Sequence, residues 1–165
     1  MNRIILASVF CMLFFSQVVV AQTASRTFGV TASVQSDQLD FSIPIWVSQT
    51  AVIAPNLGVV SAGDIGTDLT LGVALKNYFR ETTGAVPFAA LRVGTIAGIP
   101  KDGDTIYDFI FGAGFGGEYF FDPQFSLGIE IQGNLSVSDE GSFRFGNPGE
   151  MNFNTATALT ASIYF

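Results

Sequence analysis

Six charged side chains fall on the polar face of segments that alternate apolar and polar residues: Lys76, Arg80, Arg92, Asp108, Glu118 and Glu130. Register carried through the connecting turns puts Lys76, Arg92, Glu118 and Glu130 at similar heights, two positive and two negative, as an interior ion-pair cluster. Charges taken out of water need partners, because desolvation costs several kcal/mol per ion. Two readings are open: a salt-bridged plug, and a narrow gated ion path. Acid–base catalysis fits poorly. The chain has no histidine, so a general base near neutral pH would be a carboxylate or lysine with a strongly shifted pKa. No serine sits in a Gly-x-Ser-x-Gly motif. Gly112-Ala113-Gly114-Phe115-Gly116-Gly117 lacks the helix and lysine of a phosphate loop. Lys101-Asp102-Gly103-Asp104-Thr105 lacks the further ligands of a calcium loop. The expectation is a chain that is not an enzyme, with no catalytic, cofactor-binding or metal-ligating residues and no cofactor.

The elements that position these charges read as long strands. Tyr107, Phe109, Phe111, Ala113, Phe115, Gly117, Tyr119 and Phe121 share one face, and Asp108, Gly112, Gly114, Gly116 and Glu118 the other. After the turn Asp122-Pro123-Gln124 the pattern repeats, with Phe125, Leu127, Ile129, Ile131, Leu135 and Val137 opposite Ser126, Gly128, Glu130, Gln132, Asn134 and Ser136. Turn signals divide the chain into eight segments: Arg26 to Ser36, Leu39 to Ser48, Val52 to Ala62, Thr67 to Arg80, Ala85 to Ile99, Thr105 to Phe121, Phe125 to Ser138 and Asn152 to Phe165. Pro44 predicts a bulge or an unpaired position in the second segment, and Pro55 raises the same doubt in the third. A bulge at Pro44 would turn Trp46 from the inner face to the outer. The inward glycines leave room for large neighbours such as Tyr78 or Arg92.

Both ends add to this pattern. Residues 1–21 read as a secretory signal, with Arg3 in a positive n-region, Ile4 to Phe15 as the apolar stretch and Val19-Val20-Ala21 at the cleavage site. Cleavage there removes Cys11, the one cysteine. At the other end Leu159, Ala161, Ile163 and Phe165 alternate up to a terminal aromatic. That strand resembles the last strand of bacterial outer-membrane proteins, and the mature chain 22–165 resembles the OmpA/OmpX-like group of small barrels. The resemblance implies an all-β fold, an eight-stranded antiparallel up-and-down transmembrane β-barrel. It also implies the bacterial outer membrane as location, lipid and lipopolysaccharide as surroundings, and the barrel assembly machinery as a partner reading Phe165. The role implied is structural or surface-interacting; the alternatives are a narrow ion-conducting channel and, more remotely, a lipid-modifying enzyme. The small barrels that are enzymes, lipid A palmitoyltransferases, lipid A deacylases and omptin proteases, rely on the histidine this chain lacks. A closed barrel with no free edge needs no partner, so a monomer is expected.

Hydrophobic residues make up 48% and charged residues 13%, with 18 glycines, which suits strands facing lipid around a tight interior. The mature charge is six basic against fourteen acidic residues, or −8, and such a surface repels nucleic acid. The acidic excess is expected in outer loops, at Asp37, Asp40, Asp64, Asp68, Asp102, Asp104, Asp139, Glu140 and Glu150. The longest loop carries Phe143, Arg144 and Phe145, readable as an upper aromatic girdle or as a binding site. Tyr78, Phe79, Tyr119, Phe120, Phe121, Tyr164 and Phe165 are expected in a lower girdle.

Overall fold

The computed structural model describes residues 26–35, 38–62, 66–80 and 84–165; the expected signal 1–21 and loop residues Asp37 and Asp64 lie outside them. The described strands are β1 (Gly29–Gln35), β2 (Gln38–Ser42), β3 (Ile45–Trp46), β4 (Ala51–Ala62), β5 (Gly66–Tyr78), β6 (Gly84–Pro100), β7 (Ile106–Phe120), β8 (Phe125–Val137) and β9 (Met151–Tyr164). Sequence neighbours other than β2 and β3 pair antiparallel, β2 also pairs with β4, and β9 pairs back onto β1. Because β2 and β3 are two pieces of one strand, the result is a closed eight-stranded up-and-down barrel.

The division of the second strand has a physical cause. The Pro44 carbonyl accepts from the Gly29 N–H at 2.9 Å, and the Pro55 carbonyl accepts from the Ile43 N–H at 2.9 Å. Neither proline can return the second bond of its pair. The Ile43–Pro44 stretch is therefore short of a bond on both flanks, and regular pairing lapses there. No bulge forms: Ser42 lies opposite Asn56 and Ile45 opposite Ile53, in unbroken register. Trp46 accordingly stays on the inner face. Pro55 remains within a continuous β4, opposite Val73.

Pairing also fixes the slant of the strands. The path from Ser162 through Thr31, Ser42, Asn56, Gly72, Gly94, Ile110 and Ser136 returns to β9 at Asn152, ten residues from its start. With eight strands, that stagger corresponds to a tilt of about 40°. The period of two then sorts side chains by face. Val30, Phe41, Leu57, Val73, Val93, Phe111, Ile131 and Leu159, one from each member of the ring, point outward and are exposed. Thr31, Asp108, Glu118, Ser126, Glu130, Gln132, Asn134 and Ser136 point inward and are buried.

Turn chemistry closes the lower end, where the Thr27 N–H donates to the Phe165 carbonyl at 2.9 Å. In the β7–β8 turn Asp122 Oδ1 accepts from the N–H groups of Gln124 at 2.7 Å and Phe125 at 2.8 Å. Ser48 Oγ does the same before β4 for Thr50 and Ala51. The upper end is uneven. β1 pairs with β9 only from Gly29 to Val34, and β2 pairs with β4 only from Asp40 to Ser42. β9 nevertheless continues up to Met151 and β4 to Ala62. Among the described residues, β4 and β9 thus run on past the short β1–β2 hairpin at the top of the closed ring.

Candidate functional site

The four charges singled out from sequence form two ion pairs in the lumen. Lys76 Nζ lies 3.0 Å from Glu118 Oε2, and the Arg92 guanidinium is paired with Glu130 Oε1. Each pair reaches over an intervening strand, Lys76 of β5 over β6 to β7, and Arg92 of β6 over β7 to β8. Glycine makes the second crossing possible. A Cβ at Gly112 would lie 2.7 Å from Arg92 Cγ, and one at Gly114 would collide with the Glu130 carboxylate. The glycine–aromatic alternation of β7 therefore has a packing role, making room for Arg92, Glu130 and the Phe88 ring, with Tyr78 not among the nearest neighbours of these glycines.

Glu118 is the most fully engaged group. Its Oε2 accepts from Lys76 Nζ and from Tyr78 Oη at 2.6 Å. Its Oε1 accepts from Ser126 Oγ and from Tyr164 Oη at 2.8 Å. Both oxygens of a carboxylate, with about four lone-pair positions, are thus occupied. Such a group is held as an ion-pair anchor and has no free oxygen with which to take a substrate proton.

Below this node lies an aromatic floor. Trp46 stacks on Tyr78 with ring centroids 5.3 Å apart, and Phe88, Phe120 and Tyr164 pack around them. The Arg26 guanidinium caps the layer 4.3 Å from the Phe120 centroid, and its Nε donates to the Pro123 carbonyl at 2.6 Å. The expected lower girdle is therefore corrected for Tyr78, Phe120 and Tyr164. They share the face of Glu118, and the two tyrosine hydroxyls find their partner there. Phe79, Tyr119, Phe121 and Phe165 do face outward and are exposed. Arg80 is also corrected: it lies exposed beyond the end of β5 and donates to the Ala85 carbonyl.

Above the node, beneath the β1–β2 hairpin, is a cavity of about 90 Å³ with both polar and apolar lining. Small inward residues such as Ser33, Ala54, Ala158 and Thr160 leave it open, and Lys76, Arg92, Glu130 and Asp40 border it. Asp40, expected in an outer loop, is in β2 and accepts from Gln38 Nε2 at 2.6 Å.

The long upper loop, from Ser138 to Glu150, is tied down by a third charged group. Asp108, at 1% exposure, accepts from the Asp139 N–H, from Ser142 Oγ at 2.8 Å and from Arg144 Nε at 3.3 Å. Arg144 also pairs with Asp68 on β5 at 2.7 Å, and that hydrogen bond raises its pKa above the ordinary arginine value. Of the three loop residues expected to bind, Arg144 is thus already committed to the barrel's own carboxylates. Phe143 is 78% exposed, while Phe145 is only partly so. The Asp108–Ser142–Arg144–Asp68 latch is not legible in the sequence because its partners lie on three separate segments. The inward parity of Asp108 was the one available sign.

No family model matches the sequence, and no curated protein does. Among solved structures, the chain is similar to one described as "De novo design of transmembrane beta-barrels". The likeness has 13% identity and a TM-score of 0.44, and covers 88% of this chain and 100% of that one.

Proposed function

We propose that this protein is an integral barrel of the bacterial outer membrane with a side-chain-filled interior and a non-catalytic, structural or surface-interaction role. One observation carries the reading: the polarity is inverted. Carboxylates, amides and hydroxyls are buried in the lumen, while Phe, Leu, Ile and Val side chains are exposed around the whole circumference. Soluble proteins rarely expose contiguous apolar patches beyond a few hundred Å², and lipid is the solvent in which such a belt is stable. In this reading the lower turns face the periplasm, the latched loop faces outward, and lipid and lipopolysaccharide surround the belt. The barrel assembly machinery recognises Phe165, which is exposed beside Phe28 with centroids 5.4 Å apart. Export through a cleaved signal belongs to the same proposal.

Heat-modifiable electrophoresis with membrane fractionation tests it. Folded and boiled samples should migrate differently and the protein should stay with the envelope. Recovery wholly in a soluble fraction would sink the reading. The cavity bordered by Lys76, Arg92 and Glu130 favours a second reading, a narrow ion channel. Planar-bilayer recordings decide it: discrete openings altered by Lys76→Ala or Glu130→Ala support a channel, and silence supports a plug.

A further inference from the structure

We infer, on the membrane reading above, that the barrier to passage through the barrel is its aromatic floor, and that the ion pairs above it border a hydrated chamber closed from below. At the level of the floor, every member of the ring helps to close the section. Trp46, Tyr78, Phe88, Phe120 and Tyr164 supply rings from five of the eight strands, with neighbouring centroids 5.3 to 6.0 Å apart. That is the spacing of aromatic rings in contact. Val52 of β4 is 1% exposed and Ser126 of β8 is 0%. On β1, Gly29 yields its side-chain space to the Tyr164 ring, since a Cβ there would lie 2.7 Å from Tyr164 Cδ1. The hydroxyls of Tyr78, Ser126 and Tyr164 all donate to Glu118. Trp46 Nε1 is the one floor donor that is buried with no partner among the described residues. An ion entering this layer would shed its water and find almost nothing to replace it. Arg26 stands against the same rings, 4.3 Å from the Phe120 centroid and 5.5 Å from that of Tyr164.

The section above is built differently. Lys76, Arg92 and Glu130 stand on β5, β6 and β8, while Thr31, Ser33, Ala54 and Ala158 on the other strands are small, and about 90 Å³ stays open among them. Val52, Tyr78 and Tyr164 line the base of that space. Arg92, which borders it, keeps a buried Nε with no partner among the described residues. A cavity of this size with charged and hydroxyl groups in its wall holds water. The ion pairs therefore leave room beside them, and the rings below do not.

Planar-bilayer recordings on the refolded mature barrel test this. The unmodified protein should be silent. Arg92→Met combined with Glu130→Leu removes the upper ion pair as a pair, leaves the floor whole, and should be silent too. Trp46→Ala combined with Phe120→Ala removes two rings, keeps all four hydrogen bonds of Glu118, and should give discrete openings. A conducting unmodified barrel, openings in the charge-pair variant, or silence in the ring variant would overturn the inference. Should the ring variant fail to fold, thiol labelling with the floor intact decides. Cys11, in the expected signal, is the one cysteine, so a mature barrel carries only the thiol introduced into it. With the barrel inserted one way in sealed vesicles, a charged methanethiosulfonate reagent is added on the side of the Asp122 turn. It should modify Gln124→Cys at least tenfold faster than Ala158→Cys, which borders the chamber; equal rates would overturn the inference. A chain that never enters the bilayer counts against the membrane reading, whereas an inserted barrel that fails these comparisons counts against the floor alone.

Discussion

Glu118 offers the sharpest test of how the lumen is stabilised. Replacing it with Leu strands the Lys76 ammonium and leaves the hydroxyls of Tyr78, Ser126 and Tyr164 without their acceptor. Removing one partner of a buried ion pair typically costs about 3–5 kcal/mol, whereas replacing both with apolar groups is near neutral. Lys76 keeps some solvent contact, its side chain being 16% exposed, so the expected loss for Glu118→Leu is at the low end, about 3 kcal/mol. The double change Glu118→Leu with Lys76→Met should recover most of the ionic part. The three hydroxyls still lack Glu118 as an acceptor, so part of the loss is not recovered by the double change. Equilibrium urea unfolding in lipid vesicles reads these differences. Trp46 is the chain's one tryptophan and stacks on Tyr78, so its fluorescence reports on the node directly. A loss below about 1 kcal/mol for Glu118→Leu, or a double variant weaker than the single, would refute the argument that pairing is what makes this buried charge tolerable.

Other perturbations separate the remaining claims. Gly116→Ala would put a Cβ 2.6 Å from Phe88 Cζ and against the Ile129 carbonyl, so overpacking should cost about 1–3 kcal/mol by the same unfolding assay. Gly117→Ala, with nothing within 4 Å, is the matched control and should cost little. Ile131→Lys, on the outer face at 64% exposure, should destabilise by about 2–4 kcal/mol in vesicles if the belt meets hydrocarbon; a neutral effect would point to an aqueous surface. Arg144→Ala takes a cation from buried Asp108 as well as from the partly exposed Asp68, so it should speed proteolysis within 139–150 several-fold and lower global stability by about 1–3 kcal/mol.

The sequence by itself determined the long strands, their alternation and the inward parity of Lys76, Arg92, Asp108, Glu118 and Glu130. A period of two is a local property of extended backbone, so Glu118, Glu130, Lys76 and Arg92 are assigned to one face without any knowledge of neighbours. The Asp122 turn and the disturbance at Pro44 are equally local, because they depend on a side chain or a missing N–H a few residues away. Pairing partners are a different matter. Which carboxylate meets which cation depends on the ten-residue stagger, a closure condition on the whole ring, and on glycines in β7 that yield space to residues of β6 and β8. The aromatic floor and the Asp108 latch share that origin. Each brings together side chains from segments far apart in the chain, and only the closed barrel decides where they stand.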